Sequence, residues 1–191
     1  MSVNWEQIRS EQFPALKKLT YIMAGSASLL CMEAYRKGIS YFEDMLNYGD
    51  IHYDNFCEEI EKTRANIAEY INCKQEEVAF MTNTSSGMNI IARFLEKGEF
   101  LYPSIEFPAS IHIFKRLKFP NKRIEDLNHR YLIDHFKQYI SDKTKYIIHS
   151  HVQSLTGFRQ NLEKLGIFCK ETNLLNIINA TQSFCSFDID I

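Results

Sequence analysis

Tyr146-Ile147-Ile148 runs straight into His149-Ser150-His151-Val152-Gln153-Ser154-Leu155-Thr156-Gly157, an apolar stretch that gives way at once to polar side chains. The apolar run predicts a buried strand. Working outward, residues 160–171 read as a helix with Leu162 and Leu165 inward, and Leu174–Ile178 as a further buried strand. Upstream the alternation recurs. Glu99–Tyr102 reads as a strand, 109–118 as a helix, and 130–140 as a helix carrying Leu132, Phe136 and Ile140 on one stripe. Val78-Ala79-Phe80-Met81 reads as another buried strand, followed by a helix marked by Met88, Ile91 and Leu95. Nearer the amino terminus, 5–12, 29–46 and 51–72 read as helices, the last with Phe56, Ile60, Ile67 and Ile71 as its apolar stripe. Strands alternating with helices imply βαβ units, so the expected fold class is α/β: a mostly parallel sheet with helices on both faces.

The 191 residues are 45% hydrophobic and 24% charged, with a formal net charge of -2 and a pI near 6.3. That is an ordinary globular balance. It has no basic excess that would favour nucleic acid or an anionic membrane. No run of about 18 apolar residues is present to span a bilayer, and the opening Trp5-Glu6-Gln7 region lacks the apolar core of a signal peptide. The expected location is cytoplasmic. Cys31, Cys57, Cys73, Cys169 and Cys185 form no Cys-x-x-Cys pair. They are expected to be buried and reduced rather than paired or zinc-bound.

In a sheet of this kind ligands bind beyond the carboxyl ends of the strands, and three such ends are polar. Thr82-Asn83-Thr84-Ser85-Ser86-Gly87 lies between the Val78–Met81 run and a helix start. Free N–H groups and the helix dipole there favour an anion, although simple N-capping explains the same residues. His149 and His151 have no third ligand beside them, so structural or pocket-lining roles are expected for both. Asn179-Ala180-Thr181-Gln182-Ser183 ends the last strand and either orients a polar ligand or makes a plain turn. No Walker pattern and no Gly-x-Gly-x-x-Gly occurs, so nucleotide readings are weak.

Taken in order, five segments resemble the class V aminotransferase family, which includes the cysteine desulfurases and depends on pyridoxal 5′-phosphate (PLP). They are Tyr21–Ser26, Glu77–Asn89, Glu106–Ala109, Ser150–Arg159 and Ile178–Ser183. The resemblance implies that Thr84 and Ser85 hold the cofactor phosphate, that Phe107 stacks on the ring, and that Ser154 and Gln182 lie near the phenolic oxygen. It places Asn179 at the ring nitrogen, where the family has an acid. An amide carries no charge to keep that nitrogen protonated, but it can donate a hydrogen bond to the unprotonated form.

The family's Schiff-base lysine follows the Gln182 position, and no lysine follows Lys170 in this sequence. The expectation is therefore no catalytic residue here, and an incomplete PLP-transferase large domain. Residues 1–191 would be an N-terminal segment plus part of the PLP-binding domain, without the small C-terminal domain. No metal is expected. The implied function is the PLP-binding portion of an enzyme acting on an amino acid, of transamination or cysteine-desulfuration type and inactive alone. The implied partners are an amino-acid substrate and a homodimer mate or complementing C-terminal fragment. The alternative is a degenerate remnant or a non-catalytic binding module. In this family the strand at the Val78–Met81 position is flanked by strands from later in the chain, which implies an unstable sheet edge in this chain on its own.

Overall fold

A computed structural model describes residues 3–190. These divide into two units between Ala68 and Glu69.

The first unit is helical. Helix α1 (Trp5–Gln12) is capped by Asn4, whose side-chain oxygen accepts from the Gln7 N–H at 3.2 Å. A short 3-10 turn (Pro14–Lys17) follows, then α2 (Met32–Tyr48) and α3 (Tyr53–Tyr70), whose last residues lie past the division. The rings of Tyr41 and Phe56 meet edge-on at 4.9 Å and join α2 to α3. Of the expected α3 stripe, Phe56 and Ile67 are half-buried while Ile60 is exposed.

The second unit is the α/β body. It contains α4 (Thr84–Phe94), β1 (Glu99–Pro103), α5 (Pro108–Arg116), β2 (Asn121–Ile124), α6 (Ile133–Tyr139), β3 (Thr144–Ser150), α7 (Leu162–Glu171) and β4 (Leu175–Asn179). The strands form one parallel sheet in the order β2-β1-β3-β4. Because successive side chains alternate between faces, each strand feeds two cores. Phe100, Tyr102, Tyr146 and Ile148 pack with Met88, Ala92, Ile111 and Phe114 of α4 and α5. Leu101 and Ile147 pack on the other side with Phe136, Leu165 and Phe168 of α6 and α7. The expected three-layer α/β arrangement is therefore present. At the entry to β1, Gly98 is required by close approach, since a Cβ there would stand 2.5 Å from Cδ of Lys145.

Three expectations need correction. Val78–Met81 is extended at Val78 (φ -99°, ψ 119°) but lies outside the four-stranded sheet, and Ala79, Phe80 and Met81 are exposed. Its apolar composition reports a surface that the described residues do not cover. Conversely, β2 was not expected. Its sequence, Asn-Lys-Arg-Ile, has no apolar run because it is an edge strand with one buried residue, Ile124. The cysteines are all free, but only Cys169 is buried and Cys185 is exposed. Burial among apolar neighbours pushes the Cys169 thiol up to about 11. No described helix is long and apolar enough to cross a membrane.

Candidate functional site

The sheet order dictates where a site can form. The connection from β1 leads to β2 on one side, and that from β3 leads to β4 on the other. The crevice where the order reverses therefore lies beyond the carboxyl ends of β1 and β3. A cavity of about 190 Å³ opens at this end of the sheet, lined among others by Asn83, Thr84, Ser85, Phe107, Ser154, Asn179 and Gln182. That is below the roughly 300–1,000 Å³ of drug-sized sites, so it suits a small ring compound.

Each wall follows from local structure. Asn83 caps α4, its side-chain oxygen accepting from the Ser86 N–H at 2.9 Å. The first-turn N–H groups of Thr84 and Ser85 sit at the positive end of the helix dipole, beside an 11-residue helix with no acid in its first turn. Asn89 fixes the same turn by donating to the Ser85 carbonyl at 2.8 Å. Pro108 starts α5, which holds Phe107 just outside it with its ring half exposed. After β3 the chain turns back on itself: Gly157 (φ +69°) donates to the Gln153 carbonyl, and Val152 pairs with Arg159. Only that tight return presents Ser154 to the cavity. A side chain at Gly157 would meet the left-handed cost of about 1–2 kcal/mol.

Asn179 ends β4, 7% exposed. Its Oδ1 accepts from the Thr181 N–H at 3.0 Å and the Thr181 hydroxyl at 2.6 Å, while its Nδ2 donates to Ser110 Oγ at 2.9 Å. Thr181 Oγ1 is 3.1 Å from Thr84 Oγ1, which ties the end of β4 to the start of α4. Beneath these lies Glu106, buried and surrounded by donors from β3 and α5. The roles of Glu106, Ser110 and Thr181 were missed in the sequence, although an acid three residues past an apolar strand, with a serine four residues on, is a readable signal.

His149 and His151 stand apart from this chemistry. The His149 ring is within hydrogen-bond distance of the Ser150 carbonyl (3.1 Å) and of Asn176 Oδ1 (3.0 Å). Desolvation by burial lowers its pKa, against smaller opposing pulls from the Ser150 carbonyl and Glu106. The same cause lowers that of His151, helped by the repulsion a protonated His149 would add and by the charge of Arg159. No group of three or more potential metal ligands occurs among the described residues. The sign of the consequence is fixed. Below the ordinary histidine value of about 6.5 the unfolded chain takes up protons that the folded His149 refuses. Stability is therefore complete above that value and falls as the pH is lowered from 7 toward 5. Thermal midpoints across that range should decline in the wild type and decline less in His149→Gln.

The arrangement can hold a flat ring that carries an anion. A helix start can take an anion, the Phe107 ring presents an apolar face, and the Asn179 amide is the polar group at the end of β4. The sequence pattern of the Aminotransferase class-V family matches residues 21–191. A probable cysteine desulfurase of Methanothermobacter thermautotrophicus is 22% identical across 97% of this chain and 49% of its own length. The cysteine desulfurase SufS of Plasmodium falciparum is 30% identical across 69% of this chain and 27% of its own. Among solved structures, a C-DES mutant with glycine covalently linked to its PLP cofactor superposes with a TM-score of 0.86 at 21% identity, covering 95% of this chain and 51% of that one. The cysteine desulfurase CsdA of Escherichia coli gives 0.84 at 15% identity, covering 99% and 51%. These structural likenesses establish the PLP-transferase fold, and the chain spans about half the length of the relatives it matches.

Proposed function

The chain belongs to the aminotransferase class-V family, and from that premise we propose that it forms the PLP-holding part of an enzyme acting on an amino acid, by transamination or by cysteine desulfuration. One observation carries the reading. Thr84, Ser85, Phe107, Ser154, Asn179 and Gln182 are distant in sequence and line a single cavity. Bound there, PLP supplies an electron sink for the α-carbon of an amino acid. The residues present suit it. Thr84 and Ser85 receive the phosphate with their N–H groups and hydroxyls, Phe107 stacks on the ring, and Ser154 and Gln182 stand by the phenolic oxygen. Asn179 meets the ring nitrogen.

In this reading residues 1–191 comprise an N-terminal segment and part of the PLP-binding large domain. No catalytic residue is assigned within them, because the family's lysine follows the Gln182 position and no lysine here follows Lys170. The lysine would come from polypeptide that follows the Gln182 position in the family, and the proposed partners are a homodimer mate or a complementing C-terminal fragment. The 191 residues alone are expected to bind without turnover. Asn179, in place of an acid, favours a second reading in which the chain is a binding module on the same fold. The two separate when a lysine-bearing segment is supplied together with an amino acid: turnover supports the enzyme, and saturable binding without turnover supports the module.

The test uses 4′-deoxypyridoxine 5′-phosphate, whose lack of an aldehyde prevents reaction with surface lysines. Calorimetric titration should give one saturable site, weakened roughly two- to ten-fold in Phe107→Ala, the range of a lost ring contact. Binding no tighter than that of inorganic phosphate would replace the PLP reading with a plain phosphate site.

A further inference from the structure

Glu106 is not among the residues named above as lining the cavity, yet it is joined by hydrogen bonds to Asn179, which the PLP reading sets at the ring nitrogen. It is 6% exposed, and its carboxylate accepts five hydrogen bonds from neutral donors. The Phe107 N–H (3.0 Å), Ser110 hydroxyl (2.9 Å) and Ser150 hydroxyl (2.5 Å) reach Oε1; the Ser150 N–H (2.7 Å) and Gln153 amide (3.0 Å) reach Oε2. The Gln153 amide keeps its N–H toward Glu106 although its own buried oxygen finds no partner. The reverse orientation would set that oxygen against the carboxylate. Glu106 thus dictates the direction of the donors around it.

The consequence passes outward through single hydrogens. A hydroxyl has only one to give. Ser110 gives its hydrogen to Glu106, so Ser110 Oγ can only accept from Asn179, which must present Nδ2. The other end agrees, since the Thr181 backbone N–H can only donate and so requires Oδ1 of Asn179 on its side. Both ends therefore fix the same assignment of the amide. The second hydrogen on Nδ2 remains, on a residue that lines the cavity.

We propose that Glu106 is a positioning residue that, acting through Ser110, locks the Asn179 amide with an N–H available to the cavity, so that the site takes a pyridine-type ring with its nitrogen unprotonated. The identity of the ring rests on the PLP reading above; the positioning rests on the hydrogen bonds alone. A charged acid at 179 would select the protonated ring, whereas a locked amide donor selects a lone pair. The lock matters because an amide free to turn would offer its oxygen as readily as its nitrogen.

The test has two readouts on the full chain, and neither is activity. The first is solvent exchange of the Asn179 side-chain amide hydrogens by NMR, without ligand. The Nδ2 hydrogen held by Ser110 should exchange slowly in the wild type and on the order of ten-fold faster in Glu106→Gln, as befits one lost hydrogen bond. Ser110→Ala, which leaves Glu106 in place, should show the same change and keeps the test open if Glu106→Gln folds poorly. The second is the ring-nitrogen chemical shift of ¹⁵N-labelled 4′-deoxypyridoxine 5′-phosphate at pH 7. It should be that of an unprotonated pyridine in the wild type and of a pyridinium in Asn179→Asp. Unchanged amide exchange in Glu106→Gln, or in Ser110→Ala if the first variant does not fold, would overturn the positioning, and a pyridinium bound to the wild type would overturn the selection. A probe that does not bind overturns the cofactor reading and the ring selection with it, while the amide exchange still decides the role of Glu106.

Discussion

Glu106→Leu should cost about 2–6 kcal/mol of stability. The carboxylate accepts from five donors, and two of them, the Ser150 backbone N–H and the Gln153 amide, are buried and fixed in direction. The Ser110 and Ser150 hydroxyls can rotate, so they add little. Each buried donor left unmet costs roughly 1–3 kcal/mol, which gives the range. Against a typical total of about 5–15 kcal/mol, such a loss can leave the folded state a minority. Urea unfolding of the wild type and the variant, followed by far-UV circular dichroism, measures it directly. A change below about 0.5 kcal/mol, the scale of ordinary surface substitutions, would mean that water already serves these donors.

Phe100→Ala should cost about 3–5 kcal/mol, the usual result of removing a fully buried ring. Phe100 is 0% exposed on the central strand β1. Its ring lies 5.4 Å from that of Tyr102 and 5.5 Å from that of Phe114, at the middle of the core between the sheet and α5. The neighbours are large rings anchored on a strand and a helix, so they cannot collapse into the gap. Phe94, 89% exposed at the end of α4, is the control. Its replacement by alanine should shift the urea midpoint little. An equal effect of the two would remove the packing argument.

Much of this molecule is legible in the sequence, for physical reasons that differ by element. Strands β1, β3 and β4 stand out because they are central or half-covered and carry apolar runs. Strand β2 does not, because an edge strand needs only one buried side chain. The Val78–Met81 segment shows the converse, since apolar residues reveal that a surface prefers to be covered and not what covers it. The individual residues lining the cavity were readable because their types recur in order along a family pattern. The hydrogen-bond directions among Glu106, Ser110, Asn179 and Thr181 were not readable. They depend on which strand lies beside which, and Glu106 and Ser150 meet only because β1 and β3 are neighbours.

That adjacency also bears on how the chain acquires its shape. The sheet is wholly parallel, so no ladder closes through a local hairpin. Register pairs Phe100 with Asn121, Tyr146 with Leu175, and Glu99 with Thr144. The last of these, joining β1 to β3, spans the longest stretch of chain. Closing a longer loop adds only about 0.6 kcal/mol per doubling, but contacts distant in sequence slow the search for the native arrangement. The two flanking units, β1 with β2 and β3 with β4, can therefore form before they meet. Glu106 lies on one and Ser150 on the other. The cavity draws Phe107 from one and Ser154 and Asn179 from the other, so it is complete only once the two halves of the sheet have joined.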